Sequence, residues 1–362
     1  MESRIKRIFS NTEEKIDAFL VANSEHPNLD ANFSYVSKTQ QGVFEHCYIV
    51  AYKNGNGTLM TSQLEEPIAR KETKLDIVVF KTRDDRKNSL KQALSKVKKL
   101  GINGNNLTYR QYKYISKLTK AKIVDISEAF SKTRSIKDKD EIKSISQACK
   151  ISSKVADEFP DYIKENITEK QLSKKLVELQ YNYGADDLAF SPPIVCFGKN
   201  SADPHHSPSD RKLKMNEFVL IDFGARYKGY CSDITRTFVF GKPSQKMKEM
   251  YDTVLGAQLK TVDIVKSGAN GKEIDKVARN MINEKFKDRF IHSLGHEVGL
   301  TVHDGGSLSY QKDFELKENM VITIEPGVYI PEIGGVRIED TVLVKGNKSN
   351  ILTKSSKELI EL

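Results

Sequence analysis

Hydrophobic and polar positions divide the 362-residue chain into two differently patterned regions. Up to about residue 133, short apolar runs alternate with amphipathic stretches. Glu13 to Ala22 reads as a helix, and GVFEHCYIVAY (42–52) and LDIVVF (75–80) read as strands. SLKQALSKVKKLG (89–101) has the spacing of an amphipathic helix, closed by Gly101 in a left-handed conformation. TYRQYKYISKL (108–118) reads as a helix and KIVDIS (122–127) as a strand. Strands alternating with helices predict a small α/β domain whose sheet is covered by helices.

The pattern changes near KTRSIKDKDEI. Asp138 and Glu141 form a capping box with Asp in place of Ser or Thr. Ile142, Ile145, Cys149 and Phe159 then recur at helical spacing. A second box, Thr168 with Gln171, opens a helix with Leu172, Leu176 and Leu179 on one face and Gly184 at its end. SPPIVCFG, FVLIDFGARY and CSDITRTFVFG read as strands. Two helices follow, near 244–266 and 271–286, and 290–345 is mostly strand-like. Helices outside a long antiparallel sheet make an α+β domain. The expected domains are therefore 1–133 and 134–362.

Composition narrows the class. At 38% hydrophobic and 30% charged residues, the chain is globular rather than disordered. No apolar run approaches the roughly 20 residues of a membrane span, so no membrane partner is expected. The segment MESRIKRIFSNTEEKIDAF lacks the apolar stretch of a secretory signal, which makes a cytoplasmic location the expectation. Cys47, Cys149, Cys196 and Cys231 form no CxxC motif and read as reduced structural thiols. The net charge of +9 comes mainly from lysine. Without a basic stripe or a recognisable motif it does not point to nucleic acid. A basic field does suit carboxylate-bearing peptides.

The candidate chemistry lies in the second region. Asp222 and Asp233 stand eleven residues apart in one apparent β-hairpin. With Lys228-Gly229 as its turn, residues whose numbers sum to 457 face each other, so Asp222 lies opposite Thr235. Side chains alternate along a strand, which puts Asp233 on the same face as a diagonal neighbour. Two such carboxylates repel unless a cation lies between them. MVITIEPGVYI and VRIEDTVLV are treated alike: an odd-length loop such as Pro331–Gly335 puts Glu325 and Glu339 on one face. His296 comes from the glycine-rich HSLGHEVGLTVHD. Singly, each of these residues is more often a turn, cap or solvated position. Together, four carboxylates and one imidazole in apolar surroundings point to divalent metal, because buried charges must be paired or hold an ion. Manganese comes first, with cobalt, zinc and iron also suited to hard oxygen ligands and one imidazole. A pair of ions would fit hydrolytic chemistry.

HSLGHEVGLTVHD, ITIEPGVYI, GGVRIEDTVLV and the D-x10-D spacing resemble the pita-bread metallopeptidases, in the branch of aminopeptidase P and prolidase. The resemblance spans most of the chain. It implies a creatinase-like α/β N-terminal domain, a pita-bread (creatinase/aminopeptidase-like) catalytic domain, two metal ions and a homodimer. By position, Asp222 matches a ligand of one metal, Asp233 and Glu339 the bridging carboxylates, and His296 and Glu325 ligands of the other. Glu325 is also the candidate proton shuttle from the water to the leaving nitrogen. His205, His292 and His303 match residues for substrate binding and transition-state stabilisation, and Arg337 an arginine behind the ligands. The implied substrates are peptides with proline at the second position. Asp304 to Asp313 contains no arginine, whereas prolidases often carry one there for a dipeptide carboxylate. This leans the sequence toward an Xaa-Pro aminopeptidase, with Xaa-Pro dipeptidase as the alternative. Glu297 departs from the glycine that many relatives carry, and either is neutral or adds charge near the site. A methionine aminopeptidase usually lacks this N-terminal domain. A catalytically inactive peptide-binding module or a metal-free creatinase-type enzyme would typically lack the five ligands.

Overall fold

A computed structural model of the chain describes residues 3–362. The fold divides into two compact units, Met1–Arg134 and Ser135–Leu362.

In the first unit six strands alternate with helices, except where the second and third strands form a hairpin. The strands are β1 (Ala18–Ala22), β2 (Tyr48–Tyr52), β3 (Gly57–Ser62), β4 (Asp76–Phe80), β5 (Lys99–Ile102) and β6 (Lys122–Asp125). The helices are α1 (Arg4–Ser10), α2 (Ala31–Ser37), α3 (Glu66–Glu72), α4 (Arg83–Ala93), α5 (Tyr109–Ser116) and α6 (Ser127–Ser135). One mixed sheet runs in the order β4-β3-β2-β1-β5-β6.

Three sequence expectations change here. The helix expected over 13–22 is instead coil followed by β1, whose five apolar residues are all buried. A strand covered on both faces needs no alternation, so such a run carries no period to read. The strand expected from residue 42 begins only at Tyr48, because Phe44 and His46 adopt positive φ of 54° and 57° and turn the chain. The helix expected over 89–101 ends at Ala93, and Gly101 lies in β5. Its start is upstream, where Thr82 and Asp85 form a reciprocal capping box. Gly101 is a packing glycine: an added Cβ would lie 2.8 Å from Ile126 Cδ1.

The second unit contains α7 (Lys139–Glu158), α8 (Glu169–Asn182), α9 (Gln245–Ile264) and α10 (Gly271–Asn283). Its strands are β7 (Asp187–Leu188), β8 (Ile194–Phe197), β9 (Glu217–Phe223), β10 (Ala225–Tyr227), β11 (Tyr230–Cys231) and β12 (Ile234–Phe240). They continue with β13 (Gly295–His296), β14 (Ser307–Leu308), β15 (Val321–Ile324), β16 (Gly327–Ile330), β17 (Gly334–Arg337), β18 (Glu339–Val344) and β19 (Ser349–Ile351). Both expected capping boxes form: Asp138 with Glu141 starts α7, and Thr168 with Gln171 starts α8. The main sheet is antiparallel, in the order β15-β18-β12-β9-β8, with β19 beside β18. One face of its strands buries Ile221, Phe223, Ile234 and Phe238 against Val155, Phe159, Leu172 and Leu176 of the α7–α8 region. The opposite face carries polar groups around Asp222 and Thr235 and, further along the strands, Phe218 and Val239, which pack in a second core with Met250, Tyr251 and Val254 of α9. Residues 290–345 hold less strand than expected, because the chain from Glu297 to Gly306 loops between the two-residue strands β13 and β14.

Candidate metal centre

The polar face of the main sheet is assembled by register. Asp222 on β9 pairs with Thr235 on β12, and Thr235 pairs with Glu339 on β18. Directly paired residues share a face, so Asp222, Thr235 and Glu339 form one row across three strands. The hairpin register deduced from Lys228-Gly229 holds through Tyr227 with Tyr230, Arg226 with Cys231 and Phe223 with Ile234. Lys228 and Gly229 have positive φ of 50° and 80°, as a tight two-residue hairpin turn requires.

The hairpin is interrupted beside Asp233. Its tip, β10–β11, joins β7 in a separate three-stranded sheet. At the break a Cβ on Gly224 would lie 2.0 Å from the Ser232 carbonyl oxygen, so glycine is required there. Asp233 is thereby freed from the ladder. Its N–H donates to Thr341 Oγ1 at 3.1 Å, and Thr341 Oγ1 donates to the Asp233 carbonyl at 2.7 Å.

Glu325 and Glu339 meet by the same logic. The β16–β17 loop spans residues 331–333, two residues shorter than the expected Pro331–Gly335. Its length is still odd, so the shared face is retained. β15–β18 and β16–β17 keep one continuous register, and Glu325 and Glu339 stand at the junction between them. His296 is delivered by β13. Its N–H donates to Thr323 Oγ1 at 3.0 Å, and Thr323 Oγ1 donates to Glu325 Oε1 at 3.1 Å. The strands approach so closely that a Cβ on Gly295 would lie 2.0 Å from the Thr323 carbonyl oxygen.

Asp222, Asp233, His296, Glu325 and Glu339 line a cavity of about 480 Å³, together with His205, His292, His303 and Arg337. Ligand-type atoms of Asp233, His296 and Glu339 lie within 4.8 Å of one another. His296 Nε2 is 3.5 Å from Asp233 Oδ2 and 3.4 Å from Glu325 Oε1. Arg337 donates to Asp222 Oδ2 at 2.7 Å, to Thr235 Oγ1 at 3.1 Å and to Tyr329 Oη at 2.9 Å. Thr235 in turn donates to Glu339 Oε2 at 2.6 Å.

Each ligand type carries the electrostatic mark of a cation site. Burial, then Glu339, Asp222 and Glu325, push the Asp233 carboxyl well above its ordinary range. Burial, then Glu325 and Asp222, do the same to Glu339. Glu325 is pushed up to about 8, mainly by burial. Burial drives His296 down to about 3, leaving a neutral ring with a lone pair to give. Asp222 Oδ1 and Asp233 Oδ1 are buried and have no hydrogen-bond donor. Bare acceptor oxygens of this kind are destabilising unless a cation takes them up. The donor set of carboxylate oxygens plus one imidazole therefore fits divalent metal.

The three other histidines occupy different depths. His205 and His303 are exposed at the cavity, and the His303 ring lies 4.0 Å from the His296 ring, centroid to centroid. Burial lowers His303 and drives His292 down to about 3. His292 has both ring nitrogens engaged, Nδ1 with the Ser293 carbonyl at 2.9 Å and Nε2 with Tyr329 Oη at 2.8 Å. Nδ1 is also 3.8 Å from Glu325 Oε2.

Glu297 does not point at the ligands. It is buried, and its carboxylate accepts from Gly306 N at 2.7 Å and from Ser135 Oγ, holding the loop that carries His303. Thr235, Thr323, Thr341 and Tyr329 were not singled out by the sequence as site residues. For Thr235 the hairpin register was the available signal. Tyr329 has no mark that separates it from a core aromatic.

An oxygen-rich cluster in the hollow of a pita-bread fold defines a metal-dependent hydrolase. The chain matches the family model "Metallopeptidase family M24" over residues 143–346 and "Creatinase/Prolidase N-terminal domain" over residues 4–136. It is 38% identical over 363 residues to the Xaa-Pro dipeptidase of Pyrococcus horikoshii, covering 99% of each chain. It is 41% identical over 305 residues to the Xaa-Pro dipeptidase of Pyrococcus furiosus, covering 84% of this chain and 86% of that one. The solved X-Pro aminopeptidase of Thermotoga maritima superposes with a TM-score of 0.92 at 33% identity, over 99% of this chain and 100% of that one. The chain belongs to metallopeptidase family M24, and its N-terminal domain is of the creatinase/prolidase type.

Proposed function

We propose that the chain is an Xaa-Pro dipeptidase. In this reading Asp222, Asp233, His296, Glu325 and Glu339 hold two divalent ions, manganese first, with cobalt, zinc or iron as substitutes. The observation that carries it is the pair of buried, donorless oxygens on Asp222 and Asp233 beside His296, Glu325 and Glu339, in a chain similar end to end to a protein named Xaa-Pro dipeptidase. The missing arginine between Asp304 and Asp313 had favoured an aminopeptidase on longer peptides. The names of the relatives support the dipeptidase better, so the order of the two readings is reversed. The aminopeptidase stays second because the Thermotoga maritima structure carries that name. The four free, buried cysteines suit the proposed cytoplasmic location; among the described residues, no helix is long and apolar enough to cross a membrane.

When bound, the ions would acidify a water and polarise the scissile carbonyl. The chain's own groups supply the rest. Proline nitrogen has no hydrogen in the peptide, so its departure needs a delivered proton. Glu325 is suited to carry it: Oε1 is engaged by Thr323 and lies near His296, leaving Oε2 as the oxygen that moves a proton. The neutral His292 ring sits against that oxygen. His205 and His303 at the cavity would hold substrate oxygens, and Arg337 fixes Asp222.

Initial rates on an Xaa-Pro dipeptide and an Xaa-Pro tripeptide, with manganese, cobalt and zinc added in turn, test this. The dipeptide should be preferred. Strong tripeptide preference restores the aminopeptidase reading, and no turnover of either with any metal overturns both.

A further inference from the structure

Outside the ligand cluster, one buried carboxylate is surrounded by donors from a single neighbouring segment. Glu169 is the first residue of α8, after the N-cap Thr168, and is fully buried. Its Oε1 accepts from Phe197 N at 2.8 Å and Asn200 Nδ2 at 2.9 Å. Its Oε2 accepts from Ser209 N at 2.9 Å, Ser209 Oγ at 2.5 Å and His206 Nε2 at 2.9 Å. An acid in a helix's first turn ordinarily serves that helix's own N–H groups. Here Thr168 and Gln171 do so, and every bond named for the Glu169 carboxylate goes to residues 197–209. A carboxylate only accepts, so the ring hydrogen of His206 is on Nε2.

The same segment is held from the other side. Ser201 Oγ donates to the Gly198 carbonyl at 2.6 Å and accepts from Gly335 N at 2.8 Å. The backbone is so close that a Cβ on Gly335 would lie 2.0 Å from the Ser201 carbonyl oxygen. His205 lies between these fixed points and lines the cavity, while its neighbour His206 turns to Glu169.

We propose that Glu169, acting through His206 and Ser209, is a positioning residue that aims the His205 imidazole into the cavity. The proposal rests on the reading above in which His205 contacts substrate. A misplacement of about 1 Å can lower a rate by about 100-fold, and His205 is itself exposed, so its aim depends on the fixed points on either side of it.

The test uses the metal-loaded enzyme and the variants E169Q, H206A, H206Q, H205A and E169Q/H205A. E169Q and H206A should lower kcat by about 10- to 100-fold, with KM and bound metal near wild type. H206Q should recover most of the loss, because its amide donates to the same oxygen. E169Q/H205A should be no slower than H205A, since both act through one ring. In histidine-labelled, zinc-loaded protein, the single His205 ring signal should broaden or split in E169Q. Wild-type kcat in H206A, multiplicative losses in the double variant, or an unchanged ring signal overturns the proposal. If E169Q does not fold, the H206A and H206Q pair decides. If wild type cleaves no Xaa-Pro dipeptide, only the substrate reading fails. The same cycle is then run on the peptide it does cleave.

Discussion

Asp222 and Asp233 differ in what holds their second oxygen. Asp222 Oδ2 takes a hydrogen bond from Arg337, whereas Asp233 Oδ2 faces His296 and belongs to the tight group with Glu339. If the proposed pair of ions is bound as read above, Asp233→Ala should therefore strip both, and Asp222→Ala should leave the group around His296 able to hold one. Metal analysis after dialysis decides, and equal loss in the two variants contradicts this division. Glu325→Gln removes the proposed proton carrier and keeps the shape of the side chain. Its kcat should fall by about 10²–10⁴-fold in stopped assays, with the fold unchanged by circular dichroism. At this scale the sequence was informative because a candidate ligand set is a matter of residue type and strand parity. The register placed Thr235 opposite Asp222 but gave it no role, and Thr323 and Tyr329 carried no signal, because hydroxyl groups are common in strands and their role depends on which neighbour is within reach.

Elements position the ligands through glycines at close backbone approaches. Gly295→Ala would force β13 away from Thr323, carrying His296 with it. It should cost about 1–3 kcal/mol in urea unfolding and weaken metal binding together. Glu297→Gly should behave differently. Ser135 and Gly306 lose their buried acceptor, which costs about 1–3 kcal/mol, yet metal affinity measured by titration should not change, since Glu297 faces the loop and not the ions. Capping boxes at α7 and α8 and the hairpin register were readable beforehand, because both depend on a few neighbouring residues. The helix read into 13–22, the strand begun at 42 and the helix extended to Gly101 failed for one reason. Whether an apolar run is strand or helix depends on how many of its faces are covered, and the run itself does not say.

For the whole molecule, the crowded carboxylates couple stability to pH and metal. In chelated protein Glu325 holds its proton up to about 8, against 4.5 ordinarily, and Asp233 and Glu339 are raised too. The folded state then binds more protons than the unfolded state across that window, so stability is present at low pH and falls as pH rises from about 4.5 to about 8. Thermal melts in chelator should show Tm falling over this range, and divalent metal should raise Tm most at its upper end. A flat chelator profile would contradict the buried, mutually repelling cluster. By itself the sequence determined the two-domain plan, the five candidate ligands and the parity that puts Asp222 with Asp233 and Glu325 with Glu339 on a shared face, because residue type and alternation along a strand are local properties. Only the tertiary structure decided that the hairpin breaks at Gly224 to release Asp233, that Glu297 serves a loop, and that Glu169 secures the segment bearing His205. Each of these depends on which distant backbone comes within hydrogen-bond reach, and that is settled by packing across the whole domain.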